Sequence, residues 1–170
     1  MTIALRTLDR LCQLLFALAC ALTAFIALTV TYDVASRNLG LPVIIWAVNS
    51  VEYAMLAITF LAMPWLVRTR GHVCVEVVLT FLPITLRRWW EAALHYLAAG
   101  LCFFLAYRAG LAAADAMARE LYDVRAFDMP MWLLYGVMPI GFFFSALQFL
   151  AFPIQGQSFY GAPPSEKAGL

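Results

Sequence analysis

Residues 11–32 read LCQLLFALACALTAFIALTVTY and contain no charged side chain. A helix needs about 20 apolar residues to cross the hydrocarbon of a bilayer, so this stretch is long enough to span a membrane. It follows Arg6 and Arg10, as the core of a signal peptide would. It is too long for such a core, however, and no small-residue cleavage site closes it. We therefore expect a retained transmembrane helix.

Three more apolar stretches follow, which gives predicted spans at about 11–32, 42–67, 87–110 and 130–152. The composition agrees, because 65% of the residues are hydrophobic, 12% are charged and the mean hydropathy is +0.86. A soluble domain carries about twice that charged fraction, and a small one could not bury so much apolar surface. The sequence therefore predicts an all-α integral membrane protein with four transmembrane helices in one domain, residues 1–155.

Basic residues in the connections predict the orientation, since they concentrate on the cytoplasmic side. The side with the two termini holds seven, namely Arg6, Arg10, Arg68, Arg70, Arg87, Arg88 and Lys167. The other side holds four, namely Arg37, Arg108, Arg119 and Arg125. We therefore expect both termini in the cytoplasm, with residues 156–170 as a flexible tail rich in glycine and proline.

The connection between the second and third spans reads RTRGHVCVEVVLTFLPITLRR over residues 68–88. His72, Glu76 and Thr80 recur every four residues, which on a helix makes one polar stripe beside an apolar face. This pattern predicts a short helix lying in the inner membrane interface. Alternating valines offer a strand as the competing pattern, but an unpaired strand at a membrane surface leaves backbone groups unsatisfied.

Glu52 is the charged residue that most needs an explanation. If the second helix begins near Pro42, Glu52 lies about 15 Å along it, close to the middle of the bilayer. An acid at that depth is costly and usually marks function. Asn49 and Tyr53 share its helix face. The residues leave three interpretations open: a proton or cation site, a polar lock onto another helix, or a place near the headgroups if residues 42–50 lie along the interface.

Asp33 and Arg37 are four residues apart at the end of the first span, so they can pair on one helix face. The pair is either an exposed ion pair or a means of fixing a neighbouring helix. Arg37 is also the basic residue nearest in sequence to Glu52. A contact between Arg37 and Glu52 would explain how that acid is tolerated.

A charged segment over residues 110–128 precedes the fourth span. Its candidate docking residues are Asp115, Arg119, Glu120, Asp123, Arg125 and Asp128. The spacing of Asp115, Arg119 and Asp123 by four predicts that the third helix continues to about Tyr122, beyond the membrane. Such an end would be either a docking surface for a soluble partner or simply a solvated helix end.

The residue types give little support to a catalytic or cofactor site. The four cysteines form no CxxC motif and fit small buried hydrophobes. His72 and His95 are the two histidines, and His72 lies outside the predicted helix cores. We expect no metal, no cofactor and no enzymatic activity. A haem-binding or quinone-linked enzyme subunit is the alternative, and a visible absorption spectrum would reveal the haem.

Three stretches together carry a family resemblance. They are Asp33-x3-Arg37 after the first span, Glu52-Tyr53 followed by RTRGHVCVEVVL, and FDMPMWLLYGVMPIGF from Phe127. On these motifs most of the chain resembles the small membrane subunit of tripartite ATP-independent periplasmic (TRAP) transporters, the DctQ-like family.

The chain departs from the family pattern at two places. Glu76 stands where the family usually has aspartate, which keeps the acid but lengthens its side chain. Trp46 lies further from the acidic position at Glu52 than in many members.

The resemblance implies a bacterial inner-membrane subunit that scaffolds a large permease subunit. It also implies that this subunit helps to dock a periplasmic substrate-binding protein, for sodium-coupled uptake of an organic acid. The residues expected at the subunit interface or in structural polar contacts are Asp33, Arg37, Asn49, Glu52, Tyr53, Gly71, His72 and Glu76. The alternative is a self-contained small transporter that couples to ions through Glu52. The identity of the substrate is not encoded in a subunit that does not touch it.

Overall fold

The structure is a computed structural model, and it describes residues 3–42, 45–69, 84–125 and 127–154. Its elements are helix α1 (Ile3–Asn38), helix α2 (Ala47–Arg68), helix α3 (Ile84–Ala118), strand β1 (Tyr122–Val124), strand β2 (Asp128–Pro130) and helix α4 (Met131–Ile154). Within those ranges four helices are long and apolar enough to cross a membrane. The prediction of an all-α membrane protein with four spans is confirmed.

Two of the predicted segments fall outside the described residues. They are the short interfacial helix, with Gly71, His72 and Glu76, and the tail over residues 156–170. The interfacial helix, the tail and the orientation with both termini inside therefore stay predictions.

Helix α2 begins at Ala47, so the expected start near Pro42 is wrong. Ile45 and Trp46 lie in a turn before the helix. Glu52 consequently lies about 7.5 Å, not 15 Å, from the beginning of its helix.

Helix α3 ends at Ala118, so the expected continuation to Tyr122 is also wrong. The Leu121 N–H donates to the Ala116 carbonyl, 3.0 Å away, and this bond closes the helix end. The chain then forms an antiparallel hairpin in which Asp123 lies opposite Met129. The spacing of Asp115, Arg119 and Asp123 by four fits one helix face, but Asp123 lies on strand β1 of the hairpin and not on α3.

The helices pack side by side in the order α1, α2, α4, α3. The extensive contacts are α1 with α2, α2 with α4, and α4 with α3, whereas α1 touches α4 only locally. Among the described residues, α1 and α3 share no extensive contact, so the four helices form an open row rather than a closed bundle.

Helix α1 meets the row along one narrow seam. Its buried and half-buried positions include Leu5, Leu8, Cys12, Leu15, Ala19, Leu22, Ile26, Thr29, Asp33 and Ser36. They recur at alternating steps of three and four residues, which is the heptad spacing of a coiled coil. Most other described positions of α1 are exposed, so lipid or another subunit must cover them.

The central pair, α2 and α4, touches at Gly141. A Cβ atom built on Gly141 would collide with the Phe60 carbonyl oxygen and lie 2.8 Å from the Phe60 Cβ. The rings of Phe60 and Phe142 pack edge to face beside this contact, with centroids 5.2 Å apart. Close backbone approach at small residues is how helices associate where lipid is as apolar as the side chains.

We expect Gly141→Ala to lower the free energy of unfolding by about 1–3 kcal/mol, because the new methyl group must push α2 and α4 apart. Unfolding of the purified protein in detergent measures this change. Gly136→Ala is the matched control, since a Cβ at Gly136 meets nothing within 4 Å. Equal stability of the two variants would contradict the close contact.

Candidate functional site

A polar cluster joins the hairpin to α2 at the end of the row that we call the outer end, following the predicted orientation. The outer polar cluster consists of Glu52, Tyr53, Asp123 and Arg125. Arg125 Nη1 donates to Glu52 Oε2 at 2.6 Å, and Arg125 Nε lies 3.2 Å from Asp123 Oδ1. The Tyr53 hydroxyl donates to Asp123 Oδ2 at 2.9 Å. Phe127 adds an edge-to-face contact with the Tyr53 ring.

Arg125 thus bridges two carboxylates from different segments of the chain. Asp123, and after it Glu52, raise the pKa of the Arg125 guanidinium above its ordinary value. Because the pKa of Arg125 is raised in the folded protein, its ion pairs lose their stabilising effect only when the pH rises through that pKa, far above the physiological range. The Glu52 and Arg125 side chains are both half exposed, so the pair contributes modestly and is weakened by salt.

The partner of Glu52 is Arg125 and not Arg37, the basic residue nearest to it in sequence. Arg37 pairs instead with Asp33 on the same helix, with Nε and Oδ2 2.9 Å apart. Asp33 and Glu52 line a cleft of about 210 Å³ between α1 and α2, together with apolar side chains. Proximity in sequence does not identify the partner here, because Arg125 lies in the hairpin, 73 residues from Glu52.

The remaining predicted residues of the outer end have separate environments. Asn49 is buried in the first turn of α2, and its Nδ2 has no acceptor among the described residues. Asp115 and Arg119 pair with each other on α3, 2.8 Å apart. Glu120 and Asp128 are exposed. Of the six docking candidates, Asp123 and Arg125 are therefore engaged in the outer polar cluster, and Asp115 and Arg119 in their own ion pair.

A second cluster, which the sequence analysis missed, joins three helices at the other end of the row. This inner polar cluster consists of Asp9, Cys12, Arg68 and Gln148. Arg68 Nε donates to Asp9 Oδ1 at 2.7 Å, which links the end of α2 to α1. Gln148 Nε2 lies 3.2 Å from Cys12 Sγ and 3.4 Å from Asp9 Oδ1, which links α4 to α1.

The inner polar cluster is more enclosed than the outer one. Gln148 and Cys12 are buried, and the Asp9 side chain is 17% exposed. The Arg68 guanidinium also lies over the Trp65 ring, 5.6 Å from its centroid, in a cation–π contact. A signal existed in the sequence, since Gln148 carries a polar amide within the uncharged fourth span.

Of the two histidines, His95 falls within the described residues. It is buried on α3, and its ring packs against the rings of Phe149 and Phe152 on α4. Its Nδ1 is in hydrogen-bonding contact with the Glu91 carbonyl one turn earlier. His95 therefore belongs to the α3–α4 packing, and His72 lies outside the described residues.

The two polar clusters mark the ends of the apolar part of the row. Along α2 the stretch from Glu52 to Arg68 carries no other charged side chain and rises about 24 Å. This length is comparable to the hydrocarbon of a bilayer, which is about 30 Å thick. Glu52 lies in the second turn of α2, at the beginning of this uncharged stretch.

The comparisons with known proteins add one match. The family model described as "Tripartite ATP-independent periplasmic transporters, DctQ component" matches residues 26–157. No curated protein and no solved structure matches the chain. The matched range runs from the middle of α1 through the outer hairpin to the end of α4.

We expect Glu52 and Arg125 to be coupled in stability. In a double-mutant cycle of Glu52→Gln and Arg125→Gln, the coupling energy should be small but above zero, because both side chains are half exposed. Detergent unfolding at low and high salt measures it, and the coupling should shrink at high salt. Additive single variants would show that the two side chains do not interact.

The inner polar cluster should contribute more. Asp9→Asn leaves the guanidinium of Arg68 without its counter-charge in an enclosed site, and we expect a loss of about 1–3 kcal/mol in the free energy of unfolding. Asp115→Asn makes the same change in an exposed pair and should cost less than about 0.5 kcal/mol. Similar losses in the two variants would contradict the difference in burial.

Proposed function

Because the chain belongs to the DctQ component family of tripartite ATP-independent periplasmic transporters, and is thus a small membrane subunit of a TRAP transporter, we propose that it acts as a non-transporting scaffold. In this proposal it holds the large permease subunit in the bacterial inner membrane. Its outer surface helps to dock the periplasmic substrate-binding protein. The large subunit carries the substrate, an organic acid, together with sodium.

The observation that carries the proposal is the distribution of polar groups along α2. Secondary transporters bind substrate and coupling ion near the middle of the bilayer. Here the charged residues of α2 stand at its two ends, and Glu52 is already paired with Arg125. A carboxylate bound to a guanidinium at the border is better suited to hold a hairpin in place than to take up and release an ion.

The open row supports the scaffolding part of the proposal. Exposed bulky side chains of α3 include Leu97, Leu101, Phe104 and Tyr107, and most of α1 is exposed as well. These faces are apolar and broad, because each outer helix packs against the row along one seam only. Lipid and a large membrane subunit are the two surfaces that can cover them.

Affinity purification of this chain from its native membrane in mild detergent tests the proposal. The expected result is a single large, very hydrophobic partner, identified by mass spectrometry. Recovery of the chain alone or as a homodimer, from membranes that contain the large subunit, would overturn the scaffold and favour a self-contained transporter.

We expect Glu52→Gln to leave the sodium dependence of uptake unchanged, because Glu52 serves the hairpin and not the ion. Uptake is measured as a function of sodium and normalised to the amount of assembled transporter. Arg125→Gln is the matched control, since it breaks the same ion pair from the other side. The two variants should behave alike. Loss of sodium coupling in Glu52→Gln alone would make Glu52 a coupling acid.

A further inference from the structure

Two helices of the chain end in the same way but with different residues at the critical position. At the end of α1, the Leu41 N–H donates to the Ser36 carbonyl and Gly40 adopts a left-handed φ of 68°. At the end of α3, the Leu121 N–H donates to the Ala116 carbonyl and Glu120 adopts a φ of 50°. Glycine is the usual residue there, because a Cβ atom strains the left-handed conformation.

Glutamate at position 120 is therefore more strained than glycine would be. Its carboxylate makes no ion pair or hydrogen bond with the described residues, so no contact within the described chain accounts for the strain. Strained residues that persist without a structural reason are enriched at functional sites.

The hairpin next to Glu120 has one covered face and one open face. Asp123 and Met129 lie opposite each other on the covered side, where Asp123 meets Tyr53. The other side carries Tyr122 opposite Pro130 and Val124 opposite Asp128. Because side chains alternate along a strand, these four residues share one face.

That open face combines apolar surface with free acid. Tyr122 is 53% exposed and Val124 is 75% exposed. Asp128, like Glu120, is exposed and makes no side-chain ion pair with the described residues. Exposed apolar surface rimmed by polar residues is typical of protein interaction sites.

We propose that Glu120 and the open hairpin face, namely Tyr122, Val124 and Asp128, dock a patch on the soluble periplasmic binding protein that presents a basic side chain among apolar ones. This inference rests on the proposed function, and it assigns the docking to residues outside the outer polar cluster. The free carboxylates match a basic partner, and the tyrosine and valine supply the apolar contact.

A membrane surface is the other candidate for the open face. The free carboxylates disfavour it, because the headgroups of anionic lipids repel acidic side chains. A soluble protein is therefore the better fit.

The test measures binding of the purified periplasmic protein of the same transporter to the assembled membrane complex in nanodiscs. Glu120→Asp and Glu120→Asn both tolerate the left-handed conformation and differ mainly in charge. We expect Glu120→Asp to bind within about threefold of the unmodified complex, and Glu120→Asn about tenfold more weakly. Glu120→Gly should raise the midpoint of thermal unfolding and still weaken docking, a combination that a purely structural residue does not give.

Val124→Ser tests the apolar part of the face and should weaken docking by about tenfold. Leu39→Ser is its matched control, since Leu39 is 73% exposed at the outer end of α1, away from the hairpin. Normal docking by the Glu120 and Val124 variants, on a complex that does bind the periplasmic protein, overturns this inference and leaves the proposed function standing.

Two other outcomes are informative. Failure of the unmodified complex to bind the periplasmic protein removes the docking role altogether. If Val124→Ser leaves docking unchanged but destabilises the complex in phosphatidylethanolamine–phosphatidylglycerol vesicles and not in detergent, the face contacts lipid and the proposal is overturned.

Discussion

Charged side chains beside long apolar helices need partners, and two groups of ion pairs at opposite ends of α2 organise the described structure. Near the start of α2 Arg125 binds both Glu52 and Asp123, and at its end Arg68 binds Asp9. Each group of ion pairs joins segments that are distant in sequence, so it fixes the relative shift of neighbouring helices along their axes. Between Glu52 and Arg68 α2 is uncharged for about 24 Å, which leaves the middle of the row to apolar packing.

Apolar packing alone holds helices loosely in lipid, because the surrounding acyl chains are as apolar as leucine. Where the row has no charged contacts, the association of its helices therefore depends on their complementary shapes. Gly141 lets α2 and α4 approach backbone to backbone, and α1 packs extensively on α2. The outer helices use a single seam each, and their remaining faces are available to lipid or to a larger subunit. A row of this kind is suited to serve as a wall for another membrane protein.

Local features of the chain could be predicted from sequence, and distant contacts could not. The four spans follow from apolar stretches of sufficient length, and the Asp33–Arg37 pair follows from helical spacing. The Glu52–Arg125 pair depends on a hairpin whose strands have three residues each, too short to give a strand pattern. The charged residues before it were spaced like a helix, which concealed the turn. Gln148 was overlooked because an amide changes hydropathy little, although it reaches two residues of α1.

The depth of Glu52 tests the central claim most directly, since a paired acid at the outer border and a coupling acid at mid-bilayer require different positions. The measurement is the reaction of Glu52→Cys with a membrane-impermeant maleimide added outside intact cells, compared with the unmodified chain. Thiols react as thiolates, which form in water and not in hydrocarbon. The account predicts labelling of Glu52→Cys from outside and none of Thr59→Cys, which lies about 10 Å further along the same helix. Protection of Glu52→Cys, or labelling only from the cytoplasmic side, would contradict it.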